Sequence, residues 1–507
     1  MLFKGRTKLK ILTALGVIVS VSTFMLGIYI AEYKKFPYYE LRTAVKIAKK
    51  ILVHVSDEPE YSAAIPNTTY PHLRVRYNDR NNKVASFVLR SDKLELPGSI
   101  NFFKPLTGEK AFSIDIEEFA VKYLPTEQCI LLNGRPCLLY AELTLRLDYE
   151  IEGTYLASAS NIVNESALEP IVDIVRFNNM PDCQIAVVYP DYTFLAYNDY
   201  GGNSLYTQPF PVNGIMGSSF VAYDRPLISY DITKTYLPTH TIARAIEEMN
   251  VGCLNLETNS SLEYYSDLSK YRLLVLTGHD EYWTDTLRRK IDDFVITGGS
   301  LGLFSGNTNF RRLVVDQNTV SRDIHTAELN PSENSIGLAC RFGCVPVFDI
   351  AEIEQLEQKN SSFMTNEHLR GMKVIASEHP IFLNTGLKKN DFFGLESNLI
   401  WYEIAGAPLN PLTDEINREI LPNVIPIYDG KTILKQPYKA ENIIPLASSY
   451  LSYFGSRPQY AATVVEYRSG DGVVLNCGSV GWYRVLALDE TAKLIFQNAI
   501  NYLLKNT

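Results

Sequence analysis

Several absences narrow this chain before any motif is considered. It has no basic block, and the formal net charge is -9 over 507 residues, which argues against a general nucleic-acid binder. It has no internal repeat and no low-complexity tract. No lysine follows Gly201-Gly202 at the spacing of a phosphate loop. No second CxxC and no nearby histidine pair completes Cys340/Cys344 into a four-ligand zinc site. There is no GxCxG. The one literal GxSxG, Gly298-Gly-Ser-Leu-Gly302, lies where a helix hands over to a strand, the reverse of a nucleophile elbow. A covalent serine or cysteine mechanism is therefore disfavoured.

What is present is a globular composition, 46% hydrophobic and 21% charged, on a chain long enough for two domains with extras. Residues 11–30 form an uncharged run long enough to span a bilayer as a helix, preceded by Lys4, Arg6, Lys8 and Lys10. Lys34, Lys35, Arg42 and Lys46 make the other flank basic as well, so the charge rule for orientation is nearly balanced. The run lacks a small-x-small cleavage site, which predicts an uncleaved transmembrane anchor. Two local cysteine pairs, Cys129/Cys137 and Cys340/Cys344, are either disulfides or buried thiols. They tip the expectation towards a single-pass membrane protein with most of the chain outside the cytoplasm. Sequons at Asn67, Asn164, Asn259 and Asn360 are compatible with that placement.

Three regions follow from the pattern: 1–35 as tail and anchor, 36–176 as a linker helix and β-rich domain, and 177–507 as an α/β domain. Residues 36–55 carry helical spacing, suiting a helix at a membrane surface or one packed on the domain. From about residue 70 to 176 the pattern has period two, with turn signals such as Asn78-Asp79 and Pro97-Gly98, which predicts a small antiparallel β domain. From 177 onward strands and helices alternate, as parallel β-α units do. A helix is expected over 238–250 and another from Thr284 to the Gly298-Gly299 stop. Residues 462–477 read as a hairpin, and Glu490 to Leu504 as a closing helix.

The chemistry gathers at Arg272-Leu-Leu-Val-Leu-Thr-Gly-His-Asp-Glu-Tyr-Trp-Thr284, a buried strand that ends at Gly278. It delivers His279, Asp280, Glu281 and Tyr282 to the mouth of the sheet, where ligands of α/β folds bind. These side chains suit acid/base work or metal ligation, although carboxylates just before a helix also favour its dipole without any chemistry. Asn307 ends the next strand. Tyr197-Asn-Asp-Tyr-Gly-Gly-Asn-Ser-Leu-Tyr206 is either a polar ligand contact through Tyr197 and Asn198 or a turn.

Ala196–Tyr206, Tyr223-Asp-Arg-Pro226, Thr277-Gly-His-Asp-Glu-Tyr-Trp283, Phe304-Ser-Gly-Asn-Thr308 and Gly478-Ser-Val-Gly-Trp482 stand in one order over about 300 residues. In these pieces the chain resembles the family of the N,N-dimethylformamidase large (beta) subunit, C-terminal domain. The resemblance implies a class I glutamine amidotransferase-like (flavodoxin-like) sheet and hydrolysis of an amide-type C–N bond. It also implies a mononuclear iron, rather than zinc, held by two tyrosines and a glutamate. Tyr282 stands at the tyrosine of the family's His-Pro-Glu-Tyr motif, with Asp280 in place of the proline. At the second tyrosine this chain has His240, and the glutamate is Glu328 or Glu396. His279 and Glu281 would move protons, and Tyr197, Asn198 and Asn307 would contact a small amide substrate. The alternative is a catalytically inactive protein that keeps the fold and binds a carbohydrate or peptide.

Overall fold

A computed structural model describes residues 72–506, apart from 78–83, 92, 105–108, 127–136, 147–151, 160–172, 179–181, 199–203, 206–219, 223–235, 265–266, 317–318, 323–369, 402–403, 407–423, 429–432, 438–442 and 452–459. Among the described residues ahead of 179, eight strands make two four-stranded antiparallel sheets. One orders His72–Tyr77, Val84–Ser91, Leu139–Arg146 and Ala120–Tyr123; the other orders Lys110–Asp115, Ser99–Phe103, Glu152–Ser158 and Asp173–Asn178. Alternation puts Phe87 and Leu89 of the first sheet, and Ile100 and Phe102 of the second, into one shared core. The Phe87 and Phe102 rings meet there edge-on, 6.3 Å apart.

The site rests on a nine-stranded sheet. Its strands in chain order are β1 (Ile185–Tyr189), β2 (Leu254–Thr258), β3 (Leu273–His279), β4 (Ser300–Gly306), β5 (Met372–Val374), β6 (Phe392–Phe393), β7 (Ile443–Leu451), β8 (Tyr460–Ser469) and β9 (Gly472–Asn476). Across the sheet they run β2-β1-β3-β4-β9-β8-β7-β5-β6. The first five are parallel, and β9, β8, β7, β5 and β6 pair antiparallel. β9 therefore joins a parallel half to an antiparallel half.

The central strands are buried along their length and largely apolar, as strands covered on both faces are. Alternation splits them between two cores. Ala186, Val188, Leu274, Leu276, Leu301 and Leu303 face one side; Ile185, Val187, Leu273, Val275, Val473 and Leu475 face the other. Helices cover both faces: α1 (Asp191–Tyr197), α2 (Tyr236–Glu248), α3 (Asn259–Tyr264), α4 (Asp285–Ile296), α5 (Trp482–Leu488) and α6 (Glu490–Lys505). Leu287 and Ile291 of α4 join the first core, and Ile242 and Ile246 of α2 join Ile495 and Phe496 of α6 in the second. Thr284 caps α4 by accepting from Leu287 N, as the Thr-before-helix signal predicts. At the foot of the β8–β9 hairpin, Gly472 is required by close approach. A Cβ there would lie 2.0 Å from Val295 O.

Two expectations need correction. The sheet is a mixed nine-stranded one, not an amidotransferase-like sheet accompanied by a transmembrane helix. Among the described residues no helix is long and apolar enough to cross a membrane, and the expected span at residues 11–30 lies outside them. The expectation of a single-pass membrane protein with an extracytoplasmic bulk is accordingly not upheld. Beyond the two local cysteine pairs, Cys183 and Cys253, at the entries to β1 and β2, form a disulfide that local spacing does not signal. Cys137 is disulfide-bonded too, whereas Cys129, Cys340 and Cys344 lie outside the described residues, as does the helical stretch at 36–55.

Candidate active site

The parallel strands run so that β1, β3 and β4 deliver their C-terminal ends to one edge. The chain leaves β1 for β2 on one side and returns to β3 on the other, so β1 and β3 flank the point where the order reverses. That is where a crevice opens in an open α/β sheet. Gly278, at φ +67°, turns the end of β3 in a backbone conformation that suits glycine, and His279 follows in register with Gly306 of β4.

Tyr282–Trp283 then pairs in parallel with Arg311–Asp316, part of a second small sheet. This short pairing brings in Arg311, which nothing in its sequence context singles out. Arg311 N donates to the Glu281 carbonyl at 2.9 Å, and Arg311 Nε donates to Glu281 Oε1 at 2.9 Å. The other carboxylate oxygen, Oε2, accepts from Tyr197 Oη at 2.7 Å and lies 3.5 Å from His279 Nε2. Tyr197 sits at the end of α1, a short helix that intervenes where the sequence reading places only a polar run after a strand. Its ring lies 5.3 Å from the His279 imidazole and edge-on to Tyr282 at 6.5 Å. Tyr282 is fully buried, and its backbone N donates to Thr193 Oγ1 of α1 at 3.0 Å.

From β4, Asn307 approaches the same imidazole, with Nδ2 3.5 Å from His279 Nε2. Its backbone holds φ +54° and donates to the Ile404 carbonyl at 3.3 Å. Among the described residues its buried Oδ1 has no hydrogen-bond partner, and neither has Nδ2 of Asn309. Asn198, the C-cap of α1, is buried, and its N donates to the Phe194 carbonyl at 2.9 Å.

A buried polar layer lies behind this cluster. Asn259 Nδ2 donates to Asp280 Oδ1 at 2.7 Å, and Asn309 N donates to the Asp280 carbonyl at 2.9 Å. Burial pushes the Asp280 carboxyl up to about 7, against the opposing hydrogen bond from Asn259. Asp191 of α1 accepts from Ser260 N and Oγ. Glu263 accepts from Tyr192 Oη at 2.6 Å and from Thr284 Oγ1 at 2.5 Å, and burial raises it despite both bonds. Asn259 is 1% exposed, so the sequon there offers no room for a glycan.

His279, Glu281, Tyr282, Tyr197 and Asn307 thus come together, and Arg311, Thr193, Asn259 and Asp191 join them although the sequence assigns none of the four to this site. His240 and Glu396 do not join. His240 sits partly exposed on α2, where its charge acts on Glu247, and Glu396 is exposed in the turn after β6. Glu328 lies outside the described residues. The resemblance implies an iron held by two tyrosines and a glutamate; of such donors, Tyr282 lies edge-on to Tyr197, whose hydroxyl donates to Glu281. Glu281 is held by Arg311 and Tyr197, and among the described residues no three His, Cys, Asp or Glu side chains converge to hold a metal ion.

Residues 148–493 match a family model described as N,N-dimethylformamidase beta subunit-like, C-terminal. A comparison with curated proteins returns no match.

Proposed function

Because the chain belongs to the N,N-dimethylformamidase beta subunit-like family through the domain at 148–493, we propose that it hydrolyses the C–N bond of a small amide. The observation that supports this is the convergence of His279, Glu281 and Asn307 at the end of β3 and β4. In this reading His279 takes a proton from water as the water oxygen bonds to the amide carbon. The C–N bond then breaks as the imidazolium returns that proton to nitrogen, leaving a carboxylic acid and an amine. Glu281, fixed by Arg311 and Tyr197, places a carboxylate oxygen 3.5 Å from His279 Nε2 and balances the charge of the imidazolium that forms.

The test is hydrolysis of simple amides by the full chain, comparing wild type with His279→Ala and Glu281→Gln. Loss of a general base lowers kcat/KM by about a hundredfold or more. Activity that survives His279→Ala unchanged, or that appears only with added Fe(II), would overturn the imidazole route. The binding-protein alternative has one observation in its favour: both Glu281 oxygens are already engaged within the protein. Under that reading no amide is turned over.

A further inference from the structure

The unpartnered oxygen of Asn307 carries the site one step further. Asn307 is only 4% exposed, and its Oδ1 has no hydrogen-bond donor among the described residues. Leaving a buried amide oxygen unpaired costs about 1–3 kcal/mol, so such groups are rare unless a bound molecule completes them. The side chain has little freedom to find a donor elsewhere. Its backbone is held at φ +54° by the turn after β4 and by the bond to Ile404 O. Its other terminal atom, Nδ2, already faces His279 Nε2 at 3.5 Å.

Resting on the amide-hydrolase reading above, we propose that the substrate carries at least one N–H on the scissile nitrogen, and that this N–H donates to Asn307 Oδ1. The geometry follows from bond lengths. A substrate carbon within reach of a water on His279 has its nitrogen only ~1.3 Å further on, on an imidazole that Asn307 directly adjoins. A primary or secondary amide satisfies the orphaned oxygen. An N,N-dialkyl amide, such as the compound in the family's name, has no N–H to give and sets methyl groups against the oxygen. Sites whose polar groups are left unpaired by the wrong substrate discriminate strongly. For one unpaired buried group, the preference is on the order of ten- to a hundredfold in kcat/KM.

The experiment measures kcat/KM of the full chain for formamide, N-methylformamide and N,N-dimethylformamide, in wild type, Asn307→Gly and Asn307→Asp. Glycine accepts the positive φ and removes the acceptor; aspartate also tolerates that backbone and keeps an acceptor oxygen. The expectation is that wild type favours the first two substrates by about tenfold or more. Asn307→Gly should collapse that preference to within about threefold, through a larger fall on formamide and N-methylformamide than on N,N-dimethylformamide, while Asn307→Asp keeps the order. A preference produced by bulk would instead raise the dimethyl compound in the glycine variant, and that result overturns the inference. So does a uniform loss across all three substrates. If wild type hydrolyses none of them, the hydrolase reading fails on its own, and saturation-transfer NMR with the same compounds decides recognition. Contact with formamide and N-methylformamide that Asn307→Gly abolishes supports the inference; equal contact by all three compounds overturns it.

Discussion

Asp280 offers a sharp test of the buried layer behind the site. Its carboxyl is pushed from an ordinary 3.8 up to about 7, chiefly by burial. An acid whose folded-state value is raised binds its proton more tightly when folded. The stability it confers is fully present below about 3.8 and is lost as pH rises through about 7, beyond which it is flat. Each unit is worth about 1.4 kcal/mol, so the full loss is about 4 kcal/mol, of which about 2–3 kcal/mol falls between pH 5 and pH 8. Asp280→Asn keeps an oxygen for Asn259 Nδ2 and removes the ionisation. The assay is chemical denaturation of both proteins at pH 5 and pH 8. Wild type should lose about 2–3 kcal/mol more than the variant over that interval. Glu263, also raised by burial, titrates in the same direction in both proteins and cancels in the difference. Glu466 does not interfere. Burial alone would raise it, but hydrogen bonds from His379, Tyr502 and Arg468 hold it at about 2, so its contribution is lost only as pH falls below about 4.5. Identical pH slopes for wild type and Asp280→Asn would refute the reasoning, because the protonated carboxyl would then not be a folded-state property.

Three other perturbations probe different parts of the fold. Thr284→Ala removes the cap of α4 and one of the donors to Glu263, and should lower unfolding free energy by about 1–2 kcal/mol in a urea titration. An unchanged midpoint would show the cap to be dispensable. The Cys183–Cys253 bond closes a separation of 70 residues, so the double serine variant should lose up to about 4 kcal/mol on chain-entropy grounds, read as a lower midpoint than oxidised wild type. A double variant as stable as oxidised wild type would refute that. Arg311→Met strips Glu281 of its buried ion pair and should cost about 3 kcal/mol or more in a urea titration, partly recovered by adding Glu281→Gln. Absence of that recovery would mean that Arg311 acts through something other than the carboxylate.

The elements legible in the sequence are those whose periodicity is complete within one stretch. Leu273–Leu276 is apolar without interruption, Thr284 precedes an amphipathic run that stops at Gly298-Gly299, and Glu490–Lys505 repeats at helical spacing. His279 and Glu281 can be located because a strand end next to a turn is visible locally. Arg311 cannot, since only the two-residue pairing of Tyr282–Trp283 carries it to Glu281. Asn259 misleads for a related reason: its sequon is a property of three residues, whereas its burial against Asp280 is a property of the fold. The disulfide is hidden because Cys183 and Cys253 become neighbours only once β1 and β2 lie side by side. His240 stands out only by alignment to a tyrosine, and spacing along a helix cannot tell which side of α2 faces the crevice.

The position of β9 has a consequence for how the molecule is made. Gly472–Asn476 is the last strand of the sheet to be synthesised, yet it lies between β4 and β8 and is the seam between the two halves of the sheet. Until it emerges from the ribosome, β4 and β8 each present an unpaired, largely apolar edge, and such edges recruit other chains. The nascent protein must therefore carry the open edge of β4 from Gly306 until β9 begins at Gly472, about a third of its synthesis, and a chain cut short between Ser469 and Gly472 leaves both edges permanently exposed.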